Sequence, residues 1–505
     1  MRFPWLLSAS IGFLSLSQEL LWVRYIGFAY HAVPQAFSFV LMVYLFGIAA
    51  GALVGRRLCA RTPHLYRACG AVLVAAGALD MFGPLASATA ASHPMGVFIY
   101  LTLIFLCAGM KSVVFPVAHH LGSVAAPGKV GKSVSRVYFL NIIGSALGPL
   151  LTGFWLLDHV SLQTSMLMMG WLTALLGVTC LTKEASSRWI VAAGLAPLLL
   201  TLAFLKPDRL TSELAFRYLD TPVRRVIENK SGIIHSLATS HSGGDYTFGA
   251  NVYDGRANVD PQVNSNGLQR LFVLAALKPE PRDILIIGLS SGAWARILTG
   301  FPNVERIEIV EINPGYLDLI QDYPKISPFL QDPRVRVHVD DGRRWLKRNP
   351  LERFDLIVMN TSYHWRSYST NLLSKQFLDL VRVHLKPGGL ITYNATGSPD
   401  VLKTAETVFP FAFRYTNFVV ASDQDFRPRQ AGGEAALLKI TMDGKAMLDS
   451  HNPKDRDFIA RTLSEPFASS ADDSERVGRP AEVITDWNMI SEFKYGHRFP
   501  AGAGG

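Results

Sequence analysis

Seven apolar runs, each close to the roughly 20 residues a helix needs to cross a bilayer, fill the first 205 residues of this 505-residue chain. They fall at about 4–23, 35–55, 68–88, 96–116, 134–156, 161–182 and 188–205. A cleaved signal peptide does not account for the first, because its basic n-region is Arg2 alone and no small-residue cleavage site precedes Glu19 and Arg24. The last run is short and carries Pro197, so a re-entrant or interfacial placement stands beside a crossing. The expected fold is therefore a multi-span α-helical membrane bundle of about seven spans, followed by a globular part.

Charge separates the two parts. Residues 1–205 hold 12 Lys+Arg and 4 Asp+Glu, and the remainder holds 37 and 36, so nearly all of the net +9 belongs to the spans. A nucleic-acid footprint requires a basic stripe on a folded domain, which nothing here supplies, so no nucleic-acid partner is expected. Only 18% of residues are charged, against about 25% in ordinary soluble domains. That argues against a purely cytosolic enzyme, and the apolar content excludes disorder.

Loop charges orient such bundles. Arg2, then Arg56, Arg57, Arg61 and Arg67, then Lys129, Lys132 and Arg136, then Lys183 and Arg188 fall on one side, and little beyond Arg24 falls on the other. The N-terminus is thus expected in the cytoplasm. Seven crossings would then put the globular part on the outer face, whereas the ligand argued below favours the cytoplasm, and the side stays open. Cys59, Cys69, Cys107 and Cys180 all lie in or beside the spans, so the globular part has neither a disulfide framework nor a cysteine metal site.

Ionisable residues at membrane depth are functional candidates by default. Glu19, Asp80, Lys111 and Asn141 fall inside spans. For Glu19 the alternative is a structural pair with Arg24 or Lys111. Glycines 47, 51 and 55 recur at four-residue spacing, which suits close helix packing.

Beyond the spans, residues 206–221 read as a polar helical connector and 222–260 as a small antiparallel β unit. Then strands alternate with helices: DILIIG, VERIEIVEI, VRVHV, FDLIVMN and LITYN, with a helix near 372–385 ending at Pro387-Gly388-Gly389. This pattern implies an α/β doubly wound, mostly parallel sheet of Rossmann-like type. From about 426 it weakens, and 466–482 reads as loop. The domain reading is 1–205 bundle, 206–267 connector and β unit, 268–425 nucleotide-binding α/β domain, and 426–505 an extension packed on it.

Ligands of such sheets sit beyond the carboxyl ends of the strands at the switch point. Four features converge there. Gly288, Ser290, Ser291 and Gly292 form a glycine-bounded turn opening a helix, which suits close backbone approach to a ligand or a structural tight turn. Glu311 ends the second strand, where a carboxylate can accept both ribose hydroxyls or simply face solvent. Asp340, Asp341 and Gly342 end the third, suited to an exocyclic amine. Asn360 ends the fourth. Together they point to an adenosine-containing ligand.

The run from Asp283 to about Gly389 resembles the spermidine synthase (polyamine aminopropyltransferase) family of class I methyltransferase fold. The pieces are GLSSGAWARIL, IVEINP, VDDGRRWL, FDLIVMN and LLSKQFLDLVRVHLKPGGL, flanked by YDG at 253–255 and ITDWNMISEF at 484–493. With SQELLWVR and YFLNIIGSALGPLL in the spans, the whole chain resembles the membrane-fused members. The resemblance implies a membrane-bound transferase taking decarboxylated S-adenosylmethionine, or S-adenosylmethionine, as donor, without metal. Gly288–Gly292 would cradle it, Glu311 would hold the ribose and Asp341 would lie near the adenine. The family ends its fourth strand in a catalytic aspartate where this chain has Asn360, and an amide is no base at neutral pH. A second family acid falls among Ser362, Tyr363 and His364, and the loop carries Arg366 and no carboxylate. His364, Tyr363 and Asp254 are the candidate substitutes, with a surface histidine and a turn aspartate as the plainer readings. Asp486 and Glu492 are further acids from the C-terminal part. The alternatives are a ligand-binding or transport-associated membrane protein without catalysis, or a donor-consuming methyltransferase or lyase. Expected partners are the bilayer, the small-molecule donor and an acceptor of unspecified kind; an oligomer is compatible with the sequence.

Overall fold

The computed structural model describes residues 3–89, 96–124, 130–184, 209–216, 221–239, 242–360 and 363–497. The chain divides into two compact units: Met1–Ala215 with Glu228–Lys230, and Phe216–Ile227 with Ser231–Arg498.

Among the described residues of the first unit, six helices are long and apolar enough to cross a membrane: Phe3–Ala29, Pro34–Arg61, Leu65–Ala88, Gly96–Ser123, Val130–His159 and Leu162–Leu181. They coincide with the first six apolar runs. The run at 188–205, like Arg2, Lys129 and Arg188, lies outside the described residues. Large apolar side chains such as Phe46, Phe139, Leu147 and Phe154 are exposed on these helices.

Glycine draws the helices together in pairs. A Cβ on Gly51 would lie 2.0 Å from the Gly109 carbonyl oxygen, one on Gly144 2.0 Å from that of Ala9, and one on Gly77 2.6 Å from that of Gly170. The second span is thereby laid on the fourth, the fifth on the first and the third on the sixth, in the small-residue manner of membrane helices. Lys111 pairs with Asp80 at 2.7 Å, both side chains fully buried. The pairings foreseen for Glu19 do not form, because Asp80 takes Lys111 and Arg24 donates to the carbonyls of Asn229 and Lys230. Asn141 donates to the Ser8 carbonyl at 2.9 Å.

The ends of this unit differ in charge. Glu184, just past the sixth span, accepts from the backbone N–H groups of Tyr66 and Arg67. Lys183 lies over the Phe3 ring and Arg136 over Trp5. The N-terminus, the start of the third span and these basic residues therefore share one end. Residues 210–211 lie at the other. Leu210 N–H donates to Gln163, at the start of the sixth span, and Glu228 accepts from both Leu162 and Thr211. The connector is helical over Arg209–Leu214, as expected.

The second unit begins with a four-stranded antiparallel sheet in sequential order: β1 (Val223–Asn229), β2 (Gly232–Leu237), β3 (Tyr246–Gly249) and β4 (Val252–Arg256). The larger sheet contains β5 (Asp283–Ile287), β6 (Arg306–Glu311), β7 (Val335–Val339), β8 (Phe354–Met359), β9 (Leu385–Asn394), β10 (Phe411–Tyr415) and β11 (Phe418–Ser422). After the small hairpin of β12 (Thr441–Met442) and β13 (Lys445–Ala446), β14 (Phe467–Ala468) completes the sheet in the order β14-β10-β11-β9-β8-β5-β6-β7. Strands β5 to β9 pair in parallel, and β11, β10 and β14 continue antiparallel. Both faces are covered. Ile284 and Ile286 of β5 enter one apolar core, while Leu285 and Ile287 enter the other. That is why β5 and the end of β8 read as continuous apolar runs. The chain goes from β5 out to β7 and returns to β8 on the other flank of β5, so the switch point lies between β5 and β8.

Two expectations are corrected. The helix Lys375–Val383 does not reach Pro387-Gly388-Gly389, because β9 starts at Leu385 and runs through those residues. Gly388 takes φ +67°, which glycine permits without strain. Residues 466–482 are not all loop. They hold β14 and the helix Ser470–Val477, started by a Ser469–Asp472 capping box and stopped by Gly478 at φ +72°.

Replacing Gly51 by leucine is expected to cost at least about 1–3 kcal/mol through overpacking, because a backbone carbonyl occupies the space. Gly27→Ala, with nothing within 4 Å of its Cβ position, is the neutral control. Thermal unfolding in detergent, read by size-exclusion chromatography, checks both.

Candidate functional site

The switch point is stitched by main chain. Asn360 N–H donates to the Ile287 carbonyl at 3.0 Å and Gly288 N–H to that of Val310 at 2.9 Å. A Cβ on Gly288 would stand 2.8 Å from the Asn360 carbonyl oxygen, and Gly288 has φ +85°, so this position requires glycine on both counts. Ser290 and Gly292 also take positive φ, which curls the turn into a concavity.

A cavity of about 310 Å³ opens here, lined among others by Asp254, Gly288, Ser290, Glu311, Asn313, Tyr316, Asp340, Asp341, Gly342, Asn360, Tyr363 and Arg366. The structure thus gathers most of the candidates. Ser291 and Gly292 are not in the lining. Ser291 donates to the Arg256 carbonyl at 2.8 Å, and Gly292 is needed because a Cβ would meet Ile320 and Phe329. His364 is also turned away, with Nδ1 at 3.0 Å from Thr396 Oγ1. Burial pushes its pKa down to about 4, against the opposing pull of Asp400, so it is neutral and weakly basic at pH 7.

Glu311 is buried at the end of β6. Its Oε2 accepts from Leu289 N–H at 2.7 Å and its Oε1 from Asn313 N–H at 2.8 Å. Each oxygen keeps a second lone pair, which fits a carboxylate receiving two ribose hydroxyls. Burial pushes its pKa up to about 7, although the backbone N–H groups pull it down. Asp340 is held by Arg344 and by Arg348 at 3.3 Å. Asp341 caps the helix Gly342–Arg348 by accepting from Arg344 N–H at 2.8 Å.

Asp254 lies on β4 and accepts from the Tyr316 hydroxyl. Burial raises its pKa, while the Arg366 charge and the Tyr316 hydrogen bond draw it back. Tyr363 stacks on Trp365, which stacks on His497. Asp486 forms two hydrogen bonds to Arg343, at 2.8 and 2.6 Å, and Glu492 accepts from the N–H groups of Tyr368 and Thr370. Glu492 therefore fastens the loop beside the cavity, and Asp486 ties the C-terminal part to the helix Gly342–Arg348. Sequence reasoning missed Tyr316, whose aromatic ring on a short helix after β6 looks like core, and it did not place Arg366 beside Asp254. Among the described residues, no cluster of three metal-ligating side chains occurs.

Residues 272–409 match the spermine/spermidine synthase domain family. The polyamine aminopropyltransferase of Agathobacter rectalis is 34% identical over 125 residues, 25% of this chain and 43% of that protein. That of Streptococcus pneumoniae serotype 4 is 32% identical over 130 residues, 26% of this chain and 44% of that protein. Spermidine synthase 1 of Datura stramonium is 31% identical over 183 residues, 35% and 56%. The chain thus spans about half the length of the curated relatives it matches. Among solved structures, spermidine synthase from Thermotoga maritima aligns with TM-score 0.39 at 15% identity, over 51% of this chain and 87% of that chain. A spermidine synthase in complex with the transition-state analogue AdoDATO aligns with TM-score 0.40 at 15% identity, over 51% and 88%.

Because the fold holds the Glu311 pKa above its ordinary value of 4.5, the stability contributed by the protonated form is full at low pH. It is lost as pH rises toward about 7, at a cost of up to about 3 kcal/mol. The melting temperature of the ligand-free protein should therefore fall between pH 5 and 8 more steeply than that of Glu311→Gln. Parallel profiles would exclude the shift.

Proposed function

We propose that this spermine/spermidine synthase-like domain binds an S-adenosylmethionine-type donor in the 310 Å³ cavity and acts as a membrane-anchored transferase. The observation that carries the reading is Glu311, a buried carboxylate at the end of the strand beside β5, held by the main chain of the turn after β5. The adenosine would lie against Gly288 and Ser290, with its ribose on Glu311 and its base toward Asp341. Calorimetry of the detergent-solubilised chain with 5′-methylthioadenosine is expected to show saturable binding, weakened at least tenfold by Glu311→Ala. Absence of binding to the wild type would overturn the reading.

A second reading has its own observation. Asn360 stands at the carboxyl end of β8, and His364 faces Thr396 rather than the cavity. Of the proposed substitutes for a base, Tyr363 and Asp254 reach the cavity, and Asp254 is already engaged by Tyr316. This favours a reaction that needs no proton taken from an acceptor amine, such as breakdown of the donor, or ligand binding without turnover. Mass spectrometry of the donor after incubation separates aminopropyl transfer, methyl transfer and breakdown.

We infer that the globular unit follows the bundle on the face opposite the cytoplasm. The basic residues mark one bundle end as cytoplasmic, and the connector at 210–211 lies at the other. Every cysteine lies within residues 1–205, so a Leu351→Cys variant, at a position 89% exposed, in a chain freed of the other four gives a single reporter. An impermeant maleimide is expected to label it in intact cells; labelling only after lysis would place it inside.

A further inference from the structure

The cavity differs in charge from a cradle for a polycation. Its acids are engaged: Glu311 by two backbone N–H groups, Asp340 by Arg344 and Arg348, Asp341 as a helix cap. Arg366 is the one arginine or lysine among the described lining residues, and its guanidinium makes no ion pair within 4 Å among the described residues. Gly249 of β3 shows where that charge is aimed. A Cβ built there would stand 2.2 Å from Tyr316 Oη, 3.4 Å from Asp254 Oδ2 and 3.5 Å from Arg366 Nη2. Thus the Tyr316 hydroxyl fills the place a side chain would take, and a carboxylate and a guanidinium of the same cavity lining approach this glycine together. Tyr316 occupies Asp254 Oδ2, and no hydrogen bond among the described residues reaches Oδ1.

An ammonium ion alone is served by Asp254 and repelled by Arg366. A carboxylate alone meets the reverse. A group carrying both charges on one carbon satisfies both residues, and the planar guanidinium suits a carboxylate through paired N–H donors. We propose that this corner of the cavity recognises an α-amino-acid head group, with Arg366 taking the carboxylate and Asp254 the ammonium. The inference rests on the nucleoside reading above and sharpens it. The head group is either the tail of S-adenosylmethionine itself, which the decarboxylated donor lacks, or a separate amino acid bound beside the nucleoside.

The test is calorimetry on the full chain in detergent with four probes: 5′-methylthioadenosine, S-adenosylmethionine, decarboxylated S-adenosylmethionine, and L-methionine added to protein saturated with 5′-methylthioadenosine. If the donor carries the head group, S-adenosylmethionine is expected to bind at least tenfold more tightly than its decarboxylated form. Arg366→Gln should remove that preference while leaving 5′-methylthioadenosine affinity unchanged, which also shows that the variant is folded. If the head group is separate, L-methionine should bind the saturated wild type and not Arg366→Gln. Binding of 5′-methylthioadenosine with no preference for the carboxylate-bearing donor and no amino-acid binding would overturn this proposal alone. An Arg366→Gln variant that keeps either would do the same. Failure of all nucleosides to bind would instead remove the reading on which it rests.

Discussion

The second unit depends on one buried carboxylate. Glu311 joins the turn after β5 to the residues after β6 by accepting one backbone N–H from each. A turn containing three positive-φ residues at 288, 290 and 292 has few donors satisfied by regular structure, and leaving such groups buried and unpaired is costly. Glu311 satisfies Leu289 N–H and, through that bond, fixes the curvature of the turn. The burial of this carboxylate also raises its pKa toward neutrality, so the residue that shapes the cavity is itself sensitive to pH.

In the first unit, glycine performs the comparable task. Its apolar helices meet through close packing and polar contacts, as small-residue helix pairs do. Three glycine-mediated helix pairs supply the first, and the Asp80–Lys111 pair and Ser8–Asn141 contact supply the second. A buried ion pair is weak evidence of net stability, but removing one partner strands the other charge. The pair therefore fixes the third span against the fourth.

Much of this was legible in the residues. Six of the seven apolar runs coincide with described helices long and apolar enough to cross a membrane, and the seventh lies outside the described residues. The central strands β5 and β8 are legible because burial on both faces demands apolar runs, and the edge strand β7 shows instead as the alternation VRVHV. The ends of β5, β6, β7 and β8 carry Gly288, Glu311, Asp340 and Asn360, and the sheet order brings them to one cavity. What escaped was set by side-chain direction or by distant partners. His364 sits in the loop after β8, yet Thr396, 32 residues on, captures it. Tyr316 and Asp254 are 62 residues apart, and only the folding of the small sheet against the large one makes them neighbours. The capping box and terminal glycine of Ser470–Val477 were visible as local signals, but the weak apolar pattern around them concealed the helix.

Asn360 bears on how such a domain changes over time. Its contributions to the switch point come from its N–H and C=O, one bonded to Ile287 and the other facing Gly288. Neither depends on the side chain. The end of β8 can therefore carry an acid or an amide without losing either of these main-chain contacts. The side chain at the cavity mouth is thus set apart from the main chain that holds the sheet together, so the chemistry at this position can vary at little cost to folding.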